Sequence, residues 1–210
     1  MEGSPNMIKT TRCIGNIINP TSRARKSSSL HKKEESIPNT SFVLGGNNDR
    51  TAIESLRLWS DYSRVLQTLK PGKSSESGFL SKEEDLVDVL LADYESCRQL
   101  GVSKETMTNW LRNIIVCIEK DEIYSGETIS YNEQLLKVNC FQNNGWQNSP
   151  LPGPITLSSK DIEIINIKNG VNITTTEMHP DLIELYGFFE GKGKYRNSPE
   201  ALVEIFTGNK

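Results

Sequence analysis

DIEIINIKNGVNITTT, residues 161–176, is the stretch of sequence that decides the fold class. Two runs rich in β-branched residues flank Asn169 and Gly170, a pair that readily adopts the positive φ angles of a type I′ turn. The pattern predicts a β-hairpin with strands over residues 161–168 and 171–176. Upstream, residues 136–141 predict a further strand, so this part of the chain indicates an antiparallel sheet.

Three apolar stripes with helical spacing precede the strands. The first begins at a capping box, Thr51-Ala-Ile-Glu54, and ends before a Pro-Gly pair at residues 71–72. The second follows a similar capping signal at residues 81–84, and the third follows Ser103. The predicted helices span residues 51–69, 81–100 and 103–118. Their short connections indicate a small helical layer.

Two short helices are predicted after the hairpin. The first starts with Pro180 in its first turn and ends at Gly191, and the second starts at Ser198-Pro199 and ends at Gly208. The proline-rich residues 149–154 predict an extended connector before the hairpin. Residues 49–210 are therefore predicted to form a single α+β globular domain, with a helical layer, an antiparallel sheet and two C-terminal helices.

The first 48 residues differ from this domain in charge. They hold seven of the 24 Lys and Arg residues but only three of the 27 Asp and Glu residues, which gives residues 1–48 a net charge of +4 and residues 49–210 a net charge of −7. The arm is rich in Ser, Asn and Pro and poor in apolar residues, so it cannot bury enough surface to offset its ordering entropy. A disordered basic arm is therefore predicted over residues 1–48.

The arm is predicted to contact an anionic partner, either a membrane surface or RNA and nucleoprotein. Its candidate binding residues are Lys9, Arg12, Arg23, Arg25, Lys26, Lys32 and Lys33. Ser27 and Ser28 follow Arg25-Lys26 and are candidate phosphorylation sites, where added negative charge would weaken anionic contacts. An organelle presequence and a solvated tail are the alternatives for the arm.

A second basic segment lies between the two C-terminal helices. Lys192, Lys194 and Arg196 surround Tyr195 in a glycine-containing loop, a composition able to meet phosphate by charge and a base or headgroup by stacking. The three cations are candidate anionic-surface residues. A solvated loop between helices is the alternative.

No pattern in the sequence points to catalysis, a metal or a cofactor. The cysteines lack the paired spacing of a zinc site, and neither His31 nor His179 accompanies a nucleophile in a strained Gly-x-Ser-x-Gly turn. Gly72-Lys73-Ser74 lacks the first glycine and the preceding strand of a phosphate-binding loop. His179 is expected to cap a helix at its entry. We therefore predict no enzyme activity and no cofactor.

The sequence also lacks a run of about 20 apolar residues that would span a bilayer, and its start lacks the apolar stretch of a secretory signal. We expect an intracellular, cytoplasmic protein with peripheral membrane association through the arm, and organelle import as the minor alternative.

A basic arm before an acidic domain indicates a non-enzymatic assembly protein that self-associates and binds other proteins through its body. In organisation, the chain resembles small matrix proteins and host-antagonist accessory proteins of negative-strand RNA viruses. That resemblance implies self-assembly at a membrane or nucleoprotein surface. The alternatives are a nucleic-acid-binding regulatory factor, which needs a basic face on the body, and a hydrolase-type enzyme that uses His179.

Overall fold

The chain folds as a mixed helical and β structure, which confirms the predicted α+β class. The computed structural model describes residues 12–13, 50–120 and 122–209. The helices are α1 (Arg50–Ser55), α2 (Tyr62–Leu69), α3 (Leu86–Leu100), α4 (Lys104–Glu119), α5 (His179–Tyr186) and α6 (Pro199–Thr207). The strands are β1 (Arg12–Cys13), β2 (Glu127–Tyr131), β3 (Gln134–Gln147), β4 (Ser158–Asn166) and β5 (Asn172–Thr176).

The strands form one sheet in the order β1-β2-β3-β4-β5. Strands β2 to β5 are antiparallel neighbours, as expected for consecutive strands joined by hairpins. Strand β1 belongs to the predicted arm, and its two residues pair in parallel with Ile129 and Ser130 of β2. The remaining residues of the predicted arm lie outside the described part of the chain.

The predicted hairpin over residues 161–176 is confirmed, but its predicted turn type is wrong. Residues 167–171 form a longer loop in which Gly170 has a positive φ of 75° and Asn169 does not. The fully buried Asn166 explains the difference, because its amide donates to the Ile205 carbonyl at 2.9 Å and accepts from the Lys168 N–H at 2.9 Å. These bonds draw the chain out of the ladder towards α6.

A two-residue turn of type I′ instead joins β2 and β3, a connection that the sequence did not reveal. Tyr131 pairs with Gln134, and both residues between them have positive φ, 46° at Asn132 and 61° at Glu133. A glutamate rarely occupies this left-handed region, because its Cβ approaches the carbonyl oxygen that follows. Because Glu133 stands where glycine is usual in a type I′ turn, residues 132–133 do not carry the Asn-Gly pattern that predicts such a turn.

The first predicted helix is wrong, because the structure divides it. Helix α1 ends at Ser55, a 3-10 turn covers Leu56–Leu58, and Trp59 adopts an extended conformation before α2 begins at Tyr62. The break places the Tyr62 hydroxyl 2.8 Å from the Asp85 carboxylate. This tertiary bond, with the turn bonds from the Trp59 N–H to the Leu56 carbonyl and from the Tyr62 N–H to the Trp59 carbonyl, replaces helical hydrogen bonds lost at the break.

The predicted start of the second helix is also wrong. Glu84 accepts the Ser81 N–H at 2.8 Å, as a capping box requires, but the helix begins only at Leu86. Asp85 is the N-cap and accepts from the N–H groups of Val87 and Asp88. Since Asp85 also accepts from Tyr62, its carboxylate joins α2 to the start of α3.

Later helix boundaries follow the sequence more closely. Ser103 caps α4, and α6 begins at Pro199 after its N-cap Ser198 and ends just before Gly208, as predicted. Helix α5 ends at Tyr186, earlier than the predicted end at Gly191, because Gly187 adopts a left-handed φ of 64° and donates its N–H to the Ile183 carbonyl.

Two apolar clusters hold the helices and the sheet together. One packs α4 and α6 against the sheet, and includes the fully buried Leu111, Ile162, Ile164 and Phe206. The other packs α1, α2 and α3 against α5, with Leu69, Leu86 and Leu182 fully buried. Of the helices in the described part of the chain, none is both long and apolar enough to cross a membrane.

Candidate functional site

Strand β3 contains a large bulge next to its partner β4. Gln142 pairs with Lys160 and Gln147 pairs with Ser158, so residues 143–146 lie opposite Ser159 alone. Consecutive asparagines and Gly145, which has a φ of 152°, supply the backbone freedom for this excursion. Trp146, the last residue of the bulge, is exposed.

Three large apolar side chains are exposed around this bulge. The exposed fractions are 56% for Phe141, 69% for Trp146 and 47% for Leu157. Phe141 is the cross-strand partner of Asp161, and Leu157 directly precedes the Ser158–Gln147 pair. We call Phe141, Trp146 and Leu157 the outer β3–β4 surface. Residues 138–147 contain no charged side chain, so this surface lies beside an uncharged strand.

A polar cleft of about 670 Å³ lies beside the bulge. Its walls come from residues 75–79, from the bulge, from the end of β5 and from the segment after α5. The charged and aromatic residues that line it are Glu76, Phe79, Trp146, Asp161, Glu190 and Tyr195. Every charged residue of the lining is acidic, and Asp161 among them is paired with Lys194, whose ammonium lies 2.7 Å from its carboxylate.

Asp161 connects the cleft walls. Its carboxylate accepts from the Lys194 ammonium at 2.7 Å, the Tyr195 hydroxyl at 2.9 Å and the Asn143 amide at 3.1 Å. Burial alone would raise the pKa of Asp161, but these hydrogen bonds hold the pKa below its ordinary value. The ionised carboxylate therefore fixes both the bulge and the segment before α6.

A buried histidine holds Glu190, another acidic residue of the cleft lining. His179 is fully buried, and its Nε2 lies 2.6 Å from the Glu190 carboxylate. Its Nδ1 accepts the Thr176 N–H at 2.8 Å, so the ring proton lies on Nε2 and is donated to Glu190. Glu190 has a left-handed φ of 64°, and the bond from His179 helps to hold this strained residue in place.

This arrangement changes the interpretation of His179. The residue is the first of α5, after the N-cap Met178, and its ring bonds to the end of β5 rather than to the helix amides. The prediction that His179 caps the helix is therefore wrong. Because both ring nitrogens bond to the protein, the side chain acts as a positioning residue for Glu190.

The basic loop over residues 192–196 is held against the rest of the domain by ion pairs. Lys194 pairs with Asp161, and the Arg196 guanidinium binds both carboxylate oxygens of Asp93 as well as the Glu190 carbonyl. Lys192 is exposed, and its backbone N–H donates to Glu84. Contact with an anionic surface stays a prediction for these three residues, and two of them are already engaged by carboxylates.

The other predicted site residues cannot be placed around the cleft. Lys9, Arg23, Arg25, Lys26, Lys32, Lys33, Ser27 and Ser28 lie outside the described residues, and of Arg12 only the backbone is described, in β1. Within the described ranges, no three His, Cys, Asp or Glu side chains are placed to hold a metal ion.

Sequence reasoning missed the cleft and the outer β3–β4 surface. The available signal was Asn143-Asn144-Gly145, just beyond the strand predicted over residues 136–141, since a glycine inside a strand indicates a bulge. The partners of the bulge, however, come from segments up to 73 residues away, as the bond from the Gln147 amide to the Ser74 carbonyl shows, and sequence spacing does not show them.

No protein-family model, curated protein sequence or solved structure matches this chain.

Proposed function

We propose that this protein is a non-enzymatic, self-associating interaction protein, and that copies of its body meet through the outer β3–β4 surface. The observation that carries the proposal is the grouping of Phe141, Trp146 and Leu157, each about half exposed or more, around one bulge. Exposed apolar groups that cluster on a surface are typical of protein interfaces, whereas scattered ones need no explanation.

The expected gain from covering this surface is large. Burying one large apolar side chain stabilises a complex by about 1.5–3 kcal/mol, before the entropy cost of association. Aromatic residues at the centre of an interface commonly supply most of its binding energy. Phe141 and Trp146 therefore supply the expected energetic centre of the interface.

Charge supports a second copy as the partner. Residues 49–210 carry a net charge of −7, so two bodies repel each other over most of their surfaces. The run over residues 138–147 carries no charge of its own, and Asp161, which lies opposite Phe141, is paired with Lys194, so two copies would meet there with less charge repulsion. A two-fold arrangement would bring the same apolar side chains of both copies together.

The basic arm completes the proposal. Its seven cations would attach the assembled bodies to an anionic membrane or nucleoprotein surface, where each cation near an anionic membrane contributes about 1 kcal/mol. This part rests on the charge of side chains that the structure does not describe.

Sedimentation velocity of the full chain over a wide concentration range tests the self-association. We expect reversible oligomers, and we expect the double variant Phe141→Ser/Trp146→Ser to associate at least tenfold more weakly. Leu58→Ser is the matched control, because Leu58 is 89% exposed but lies in the 3-10 turn after α1. A full chain that stays monomeric, or a double variant that associates like the parent, would overturn the proposal.

A further inference from the structure

We propose that the groove between α3, α5 and the start of α4 is the docking site for Phe42-Val43-Leu44, an apolar segment of this chain that lies outside the described residues. We call these three residues the anchor segment, because they would hold the end of the basic arm against the body. The groove shares no lining residue with the outer β3–β4 surface or with the polar cleft, so the inference is independent of the function proposed above.

The groove is a defined, mostly apolar cavity. Its volume is about 420 Å³, which is within the usual range for binding sites. The apolar and aromatic residues of its lining are Ile53, Leu90, Tyr94, Val102, Tyr186 and Phe189. Such a lining favours an occupant that buries apolar side chains against it.

The cations at the groove already have acidic neighbours. The Arg98 guanidinium donates to the Glu95 carboxylate at 3.1 Å, and the Lys104 ammonium is close to the carboxylates of Glu105 and Glu184. A charged ligand would have to compete with these carboxylates and would lose hydration as it entered an apolar cavity. The groove therefore favours an occupant that is apolar and uncharged.

The sequence before α1 contains one segment of this kind. Residues 36–48 hold no charged side chain, whereas all seven cations of the arm lie at or before Lys33. The anchor segment is the longest run of apolar residues within residues 1–49, and Phe42 is the only aromatic residue there. Burial of these side chains would stabilise the docked segment without removing any charge from water.

The chain enters the body beside the groove. Helix α1 begins at Arg50, and Ile53, about one turn later, lines the groove. The Arg50 guanidinium lies 3.8 Å from the carboxylate of Glu95, which also pairs with Arg98 at the groove. The residues just before Arg50 are therefore the part of the arm that starts nearest to the groove.

The linker between the anchor segment and α1 is short enough to favour docking within one chain. Five residues, 45–49, separate Leu44 from Arg50, and two of them are glycines that let the chain turn. Their extended length is about 20 Å, so the anchor segment reaches the groove from the start of α1. A segment on so short a tether has an effective concentration on the order of millimolar, well above that of a free ligand or a second copy in dilute solution.

The anchor segment would also support α1. This helix has six residues, and so short a helix is unstable unless tertiary contacts hold it. Ile53 is the buried residue of α1 and supplies one such contact. Docking of the anchor segment would fix the chain on the other side of Arg50, so its loss should speed amide exchange in α1.

Cysteine alkylation of the full chain tests the docking. Cys97 lines the groove, whereas Cys140 lies on β3 away from it, and both thiols are partly buried. Because removal of the occupant exposes the groove, the double variant Phe42→Ser/Leu44→Ser should react with maleimide about fivefold faster at Cys97 and at the parent rate at Cys140. Peptide mass spectrometry follows each thiol separately.

A second double variant, Ile17→Ser/Ile18→Ser, is the matched control. It removes two large apolar side chains from another part of the arm, so both alkylation rates should stay at the parent value. An unchanged rate at Cys97 in Phe42→Ser/Leu44→Ser, or an equal rise in the control, would overturn the proposal. Neither double variant alters the outer β3–β4 surface, so the self-association test is decided separately.

A peptide and a dilution series identify the occupant. A synthetic peptide of residues 40–48, added to Phe42→Ser/Leu44→Ser, should restore the slow alkylation of Cys97, and the same peptide with serine at positions 42 and 44 should not. Protection of Cys97 in the parent chain should not change on dilution, because the segment is tethered. Failure of the peptide to protect, or protection that is lost on dilution because a second copy supplies the segment, would overturn docking within one chain.

Discussion

Replacing Arg196 with methionine separates two roles for this residue, as a contact for an anionic surface or as half of a buried ion pair. The Asp93 side chain is 1% exposed, and the Arg196 guanidinium binds both of its carboxylate oxygens across 103 residues of sequence. Methionine keeps most of the aliphatic stem of arginine and removes the charge. The variant therefore leaves a buried carboxylate without its cation.

The expected loss of stability is large at neutral pH. Removing one partner of a buried ion pair costs about 3–5 kcal/mol, because the remaining charge is neither solvated nor paired. Burial raises the pKa of Asp93 to about 6 even with Arg196 present. Because the folded state then holds the proton more tightly than the unfolded state, the contribution of Asp93 to stability falls as pH rises from about 4 to about 6.

The pH dependence of the variant's stability follows from the same upward shift of the Asp93 pKa in the folded state. Without Arg196 the pKa of Asp93 rises further, so the stability difference between parent and variant grows with pH. We expect a difference of about 1 kcal/mol at pH 4.5, where Asp93 is protonated in both proteins, and the full 3–5 kcal/mol at pH 7.5. Urea denaturation followed by circular dichroism at both pH values measures this difference.

Two further variants make this prediction specific. Lys192→Met removes an exposed cation from the same loop, and should change the free energy of unfolding by less than about 0.5 kcal/mol. Combining Arg196→Met with Asp93→Leu should restore most of the stability at pH 7.5, because neither charge then remains buried. A loss below about 1 kcal/mol at pH 7.5, or an equal loss at both pH values, would refute the argument.

Three other variants test local features of the fold by thermal or urea denaturation. Glu133→Gly should raise the free energy of unfolding by about 0.5–1 kcal/mol, since it relieves the left-handed strain at a φ of 61° and costs only some backbone entropy; a lower stability would contradict the type I′ turn. Asp85→Ala should cost about 1–2 kcal/mol by removing the α3 cap, and Ser81→Ala much less; the reverse order would show that the helix begins at Ser81. Asn166→Ala should cost about 2–3 kcal/mol because it leaves buried groups unpaired, and a neutral effect would refute its proposed role at the hairpin end.

Sequence reasoning succeeded where a local pattern determines the structure. The β-branched runs around Asn169-Gly170 predicted the hairpin, and Ser103 and Ser198-Pro199 predicted the starts of two helices. Each of these signals acts between residues a few positions apart. The hydrogen bonds that cap these helices join residues three positions apart, so they do not depend on distant parts of the chain.

The errors arose where distant residues override the local pattern. The apolar stripe over residues 53–69 has helical spacing, yet the bond between Tyr62 and Asp85 accompanies a break in it. Sequence spacing also does not show that Arg196 is paired with Asp93, because the two residues lie 103 positions apart. The candidate site was missed for the same reason, since the bulge, Asp161 and Glu190 meet only in the folded chain.

Hydrogen exchange of the full chain, compared between dilute and concentrated solutions, tests the central claim most directly. If copies of the body meet through the outer β3–β4 surface, amides in residues 138–147 should exchange more slowly in the concentrated sample, while amides around Leu58 should exchange at the same rate in both. Oligomers whose residues 138–147 exchange at the same rate as in the dilute sample would contradict the claim.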